Sequence, residues 1–314
     1  MSMHETWGPM HNTEDELPDN GPLAARNGPV ADLSVVIPCL NAADVLPRQL
    51  DALVSQEWNG SWNVIVADNG STDETTAIAR SYEPRLPSLR VVDASDRRGR
   101  QYACNAGARV AGKAIVFIDA DDEIAPGYIA AVGEALAEHP IVAARIDDAT
   151  LNHGWILDGR SSVQSADLQH GLGFLPFGSG GTLGVQNPVF ADLGGFADDM
   201  DYAEDVDFCW RAQLAGVPIY FVADAVVRYR YRPSLRSMFR QHRNFGRASA
   251  LLYRTYRDRG MPGRATRAGL NDWWGLTKSF VLIRSRADAA RWSRRLGRGV
   301  GRIQGSIRYR VWYP

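Results

Sequence analysis

Nine residues, Ala114 to Asp122, read AIVFIDADD and constrain this chain more than any other stretch. The apolar run Ile115 to Ile118 is short and β-branched, as in a strand buried on both faces of a parallel sheet. It runs directly into Asp119, Asp121 and Asp122. Those carboxylates fall at the carboxyl end of the strand, where open α/β sheets bind ligands. Small Ala120 separates Asp119 from Asp121, so a bending strand end can aim both at one point. Crowded carboxylates repel unless a cation sits among them, and Mg2+ or Mn2+ would also hold phosphate oxygens. The bland alternative is that these aspartates cap a helix starting near Pro126.

The neighbouring segments repeat the same rhythm. Leu33 to Pro38 is predicted as a strand, and Ala43 to Gln56 carries helical spacing. Trp62 to Ala67 forms a second strand, followed by a helix to Tyr82 that Ser71 or Thr72 can cap. Leu89 to Ala94 is a third strand, and a loop with Arg97, Arg98, Gly99 and Arg100 leads into a helix through Val110. This order predicts parallel strands joined by right-handed crossovers. Pro38 to Asn41, Asp68 to Asp73, Arg97 to Arg100 and Asp119 to Asp122 should then converge on one cleft.

Further on, a helix is expected from Pro126 to Glu138 and a strand over Ile141 to Ile146. Asp147 to Gly184 reads as loop. A short helix follows over Pro188 to Leu193, broken by Gly194-Gly195-Phe196, then a helix over Val206 to Ala215 with Glu204 and Asp205 at its start. Pro218 to Ala223 and Ala225 to Tyr229 read as two short strands, and basic helices begin at Leu235. The glycines of Gly178 to Gly184 (GSGGTLG) lack the lysine of a P-loop, so they suggest close backbone approach to a sugar.

Charge is divided unevenly along the chain. Net charge is −1 over 314 residues, yet from Arg228 onward 22 Lys/Arg face 3 acidic residues. Three scattered cysteines give neither a disulfide framework nor a zinc site, which fits a reducing cytoplasm. Residues 1–30 are polar and rich in Pro, Gly and Asn, predicting a disordered tail rather than a signal peptide. No apolar run approaches the roughly 20 residues of a membrane span.

These motifs together resemble the inverting glycosyltransferases of family 2, whose fold is GT-A. SVVIPCLN, VADNGSTDET, RGRQYACNAG, FIDADD, LGGF and AEDVDFCWR carry the resemblance in order across Leu33 to Tyr253. It implies a Rossmann-like α/β fold, with a mostly parallel sheet flanked by helices and a basic helical C-terminal extension. The implied division is a catalytic domain over 31–233, split into a nucleotide-binding half (31–122) and an acceptor half (123–233), with 234–314 appended.

The resemblance also implies roles. Pro38, Asn41 and Asp68 would bind the nucleobase end of a nucleotide-sugar donor, with Arg98, Gly99, Asn105, Asp119 and Ala120 completing the donor site. Asp121, with Asp119, would hold Mn2+ or Mg2+. Asp205 would be the general base and Glu204 its partner. Three positions depart from the family pattern: Asn69 replaces an Asp, Cys104 an Arg, and Tyr229 a His. Any positive charge needed at the donor must then come from Arg97, Arg98 or Arg100. The expected reaction moves one sugar per encounter to a glycan or lipid-linked hydroxyl, in cell-envelope or polysaccharide biosynthesis.

Two other readings compete. A sugar nucleotidyltransferase would carry a Gly-rich basic loop after the first strand, where this chain has PCLNAADV. A nucleic-acid-binding module would use the basic C-terminal part but leaves the acidic cleft unexplained, so no nucleic acid is expected. From Asn271 onward, Trp273, Trp274, Phe280, Trp292 and Trp312 mix with Arg284, Arg286, Arg291, Arg294, Arg295 and Arg298. Rings and guanidinium groups suit an anionic membrane surface, implying peripheral attachment to the inner face of the plasma membrane. The alternative is packing on the acidic domain or at a homodimer interface.

Overall fold

A computed structural model describes residues 30–158 and 164–314. Apart from Val30, the predicted tail lies outside the described residues.

Three βα pairs open the chain: β1 (Leu33–Cys39), α1 (Leu46–Val54), β2 (Trp62–Asp68), α2 (Thr75–Ser81), β3 (Leu89–Asp93) and α3 (Arg100–Arg109). The central strand β4 (Ala114–Phe117) follows, then β5 (Glu123–Ile124), α4 (Tyr128–Glu138), β6 (Ile141–Asp147) and the single turn α5 (Trp155–Asp158). Next come β7 (Leu183–Gln186), α6 (Asn187–Asp192), α7 (Glu204–Leu214) and β8 (Ile219–Arg228). Three helices complete it: α8 (Leu235–Tyr256), α9 (Thr266–Phe280) and α10 (Arg286–Tyr309).

One eight-stranded sheet runs in the order β3-β2-β1-β4-β7-β6-β8-β5. β1 through β4 pair in parallel, as the buried apolar runs of β1, β2 and β4 lead one to expect, with partly exposed β3 at the sheet edge. Alternate residues feed two cores: Val36, Ile65, Ile115 and Phe117 on one face, Val35, Ile37, Val64 and Val116 on the other.

Two strands escape the sequence reading, and both bear on the cleft. β7 runs antiparallel between β4 and β6, with Val116 opposite Gly184 and Ala114 opposite Gln186. Continuing that register sets the Gly180–Thr182 turn beside the carboxyl end of β4. β5 pairs antiparallel with β8, Glu123 opposite Arg228, which lays the chain after β8 across the aspartates. β8 is also one strand rather than two. Its register with β6 slips between Ala144 and Arg145, and Arg145 Nε donates to the bulged Ala223 carbonyl at 2.8 Å.

Ser71 and Thr72 do not cap α2, whose N-cap is Glu74 with no side-chain cap bond. Instead, Ser71 Oγ accepts from the Asn41 N–H at 2.9 Å, and Asn41 Oδ1 accepts from the Thr72 N–H at 2.8 Å.

The predicted basic helices are α8, α9 and α10. α8 and α10 pack backbone to backbone: a Cβ on Gly297 would sit 2.5 Å from the Phe239 carbonyl, and one on Gly301 2.0 Å from the Arg243 carbonyl. The α10 arginines are therefore not one free basic face. Arg294 is buried, Arg298 lies against His242, and Arg291 bonds to Asp288 and to the Asp158 carbonyl.

Candidate active site

The strand-end loops do meet. At the end of β2, Asp68 turns back to accept from the Ser71 N–H at 3.2 Å. Asn41 holds a left-handed backbone, φ 51°, between the β1 and β2 loops. Buried Asn69 ties the β3–α3 loop: its amide donates to the Ala94 and Arg97 carbonyls and accepts from the Gly99 N–H at 2.9 Å. An ionised aspartate accepts only and could not make the two donations. Asp73 is a turn former, accepting from Ala43 and Thr75.

Of the three candidate arginines, Arg100 reaches the carboxylates. Its Nε donates to Asp119 Oδ1 at 2.8 Å, and its Nη1 lies 3.4 Å from Glu204 Oε1. Burial works against its charge, but Asp119 and then Glu204 hold the guanidinium protonated. Arg97 instead pairs with Asp198 at 3.2 Å, and Arg98 stays exposed near Gly70.

The glycine turn closes over this pair. A Cβ on Gly180 would meet Arg100 Nη1 at 2.8 Å, and one on Gly181 would meet Asp119 Oδ2 at 2.8 Å. The glycines thus serve an approach to the chain's own site residues. The Gly180 N–H donates to Asp205 Oδ2 at 2.8 Å, while Asp205 Oδ1 accepts from the Val206 N–H at 2.8 Å.

Glu204 and Asp205 stand in the first turn of α7, where the helix dipole favours acids. Burial, then the charge of Asp205, pushes the Glu204 carboxyl up to about 7. Burial also raises Asp205, against the pull of Arg100 and the Gly180 N–H. The second half of the same motif is structural. Asp207 accepts from Tyr256 Oη at 2.6 Å and from Arg211 Nε at 2.7 Å. Arg211 in turn donates to the Leu193 and Gly195 carbonyls. Asn105 uses both ends of its amide on the Phe196 backbone, at 2.8 and 3.0 Å, so it holds the same Gly-Gly-Phe turn. Trp210 is fully buried, its Nε1 donating to the Leu175 carbonyl at 2.8 Å, and it packs edge-on to Phe174 and Tyr256.

Across the aspartates lie two residues the sequence reading missed, Arg230 and Arg232. The Arg230 N–H donates to Asp122 Oδ1 at 2.8 Å, its Nε to the Asp121 carbonyl at 3.1 Å, and its Nη2 to Glu123 at 2.7 Å. Arg232 Nη1 donates to Asp121 Oδ2 at 2.9 Å. The alternation Arg228, Arg230, Arg232 at the end of a strand was the available signal, since residues two apart share a face. Burial and then Asp119 raise both Asp121 and Asp122, Asp122 strongly, against the pull of these arginines.

Among the described residues, no group of three or more His, Cys, Asp or Glu side chains is disposed as a metal cage. The donors that the strand end offers are carboxylate oxygens. Mg2+ and Mn2+ are commonly held by one or two carboxylates plus phosphate oxygens and water, rather than by a dedicated protein cage. Asp121 and Asp119 would be the donors, each of them bonded here to an arginine, Arg232 and Arg100.

Comparison with known proteins agrees with this geometry. Residues 34–171 match the model of "Glycosyl transferase family 2". The chain is 38% identical over 95 residues to the uncharacterized glycosyltransferase YibD of Escherichia coli (strain K12), covering 30% of this chain and 27% of that protein. It is 26% identical over 208 residues to glycosyltransferase AglE of Haloferax volcanii, covering 64% and 67%. In structure it superposes on mannosyltransferase PcManGT of Pyrobaculum calidifontis, solved with GDP-Man and Mn2+. The TM-score is 0.61 at 20% identity, over 89% of this chain and 87% of that one. Residues 34–171, a little under half of the chain, thus match glycosyltransferase family 2, and the fold that carries them is GT-A.

Proposed function

We propose that this chain is a metal-dependent inverting glycosyltransferase, moving one sugar from a nucleotide-sugar to a hydroxyl of a glycan or lipid-linked acceptor. The observation that carries the reading is the joining of two motifs through one side chain. Arg100 bonds to Asp119 at the end of β4 and reaches Glu204 in the first turn of α7, next to Asp205. The complex of PcManGT with GDP-Man and Mn2+ supports a nucleotide-sugar donor and a divalent cation. In this reading 31–122 form the donor half, with Pro38, Asn41, Asp68, Arg98, Gly99 and Ala120 along it, and 123–233 the acceptor half.

The acceptor oxygen attacks the anomeric carbon as the bond to the diphosphate breaks. Its proton passes to Asp205, the general base. Each Asp205 oxygen accepts one backbone N–H, from Gly180 or Val206, so lone pairs remain for that proton while the carboxylate is held in place. Of the two acids it is Glu204 that the like charge raises, which leaves Asp205 the ionised member, and Arg100 limits the repulsion. A divalent cation at Asp121 and Asp119, when bound, supplies Lewis-acid neutralisation of the leaving diphosphate. One base without an enzyme nucleophile gives a single displacement. Proton NMR of the first-formed product should therefore show the anomeric configuration opposite to that of the donor; retention would overturn the reading.

A further inference from the structure

We propose that the outer face of α9, with the turn after it, is a docking surface for an anionic lipid bilayer. Arg267, Leu270, Trp274, Lys278 and Val281 follow one another at spacings of three and four, so they form one stripe along the helix. The apolar members are strongly exposed: Leu270 65%, Trp274 63% and Val281 78%. Leu282, 60% exposed, extends the patch into the turn before α10, whereas Phe280 turns towards α10 and packs on Trp292. Single exposed apolar residues are ordinary, but four on one helix face and its exit form a patch of the kind that marks an interaction surface. α9 does not need this face to hold its place. Its opposite side buries Gly269 and Leu276, and Trp292 Nε1 donates to the Leu276 carbonyl at 3.0 Å.

Charge selects the occupant. Arg267, Lys278 and Arg284 are exposed around the apolar residues, and Lys278 Nζ lies 5.0 Å from the centre of the Trp274 ring. The only acid on α9, Asp272, is already paired with Arg264 and Arg302. The rim is therefore cationic. A second copy packed about a twofold axis would bring these same cations against each other. A bilayer with anionic headgroups offers phosphates to the cations and an interfacial zone to the rings. The surface lies on α9 and its exit rather than along the α10 arginines, whose helix is packed on α8.

The inference does not depend on sugar transfer, because binding is measured without donor or acceptor. The full chain is sedimented with vesicles of phosphatidylcholine alone and of phosphatidylcholine with phosphatidylglycerol. Binding to the mixed vesicles that weakens with salt is expected. Combining Trp274→Ser, Val281→Ser and Leu282→Ser should lower partition roughly tenfold or more. Lys278→Glu should weaken it less, and Arg295→Gln, an exposed α10 position off the stripe, should leave it unchanged. Circular dichroism and Tm confirm that each variant folds. Several results would overturn the proposal: no binding to anionic vesicles at low salt, undiminished binding by the triple variant, a dimer in ultracentrifugation that the triple variant dissolves without any lipid binding, or tighter retention on DNA than on vesicles.

Discussion

The carboxylate cleft and the α9–α10 hairpin both concentrate charge, and they handle it in opposite ways. In the cleft, partners come from distant parts of the chain: Arg100 reaches Glu204 across 104 positions, and Arg232 reaches Asp121 across 111. Glu204 is buried and Asp119 and Asp121 half-buried, so each ion pair is held against a desolvation cost. On the hairpin many bonds are short-range, such as those joining Ser285, Asp288 and Arg291, and the cations beside the apolar stripe stay in solvent. Strained, long-range charge belongs with chemistry. Solvated charge beside exposed rings belongs with a surface.

The sharpest way to break this contrast is Asp205→Asn. Removing a positioned base should cost roughly 10²–10⁴-fold in turnover. Donor affinity should stay near that of the native chain, since the side chain acts on the acceptor proton. Titration calorimetry with the donor beside a turnover assay separates the two, and a variant that turns over normally would move the base elsewhere.

Arg100→Leu comes next. It leaves Asp119 and Glu204 without their shared cation. Breaking a buried pair costs about 3–5 kcal/mol, and partial exposure here lowers the expectation to about 2–4 kcal/mol in urea unfolding. Lys278→Ala on the hairpin should stay within about 0.5 kcal/mol of the native chain. Equal costs at the two positions would erase the contrast.

A pH series sharpens it further. The Glu204 carboxyl is raised from 4.5 to about 7, so the folded chain keeps a proton that the unfolded chain has lost between those values. Folding stability therefore falls as pH rises through that window, by on the order of 3 kcal/mol from this group. Glu204→Gln cannot lose that proton. Its stability relative to the native chain should improve from pH 4.5 to above pH 7, read as Tm against pH. A constant difference would place the carboxyl at an ordinary value.

Much of this was legible in the residues. β1, β2 and β4 are buried on both faces, so their apolar runs mark them, and each delivers a polar loop to the same edge. β7 was not legible, because a four-residue strand inside GSGGTLGVQ carries a turn composition. Nor could sequence choose among Arg97, Arg98 and Arg100. That choice follows from the helical phase of α3, which points the first residue of the helix at Asp119 and leaves the two loop arginines outside. Arg230 and Arg232 were hidden for a related reason. Only the antiparallel pairing of β5 with β8 brings them over the aspartates.

Donor binding is the most direct test. Tm is measured for the native chain and for Asp121→Asn with GDP-, UDP- and dTDP-sugars, each in Mn2+ and in EDTA. A ligand at 100 times its Kd stabilises by about 2.7 kcal/mol, roughly 5 °C or more for a chain of this size. The expected result is that at least one nucleotide-sugar raises Tm by that amount in Mn2+, with most of the rise lost in EDTA and in Asp121→Asn. No shift with any donor, or an equal shift in EDTA and in the variant, would contradict a metal-assisted nucleotide-sugar site at the end of β4.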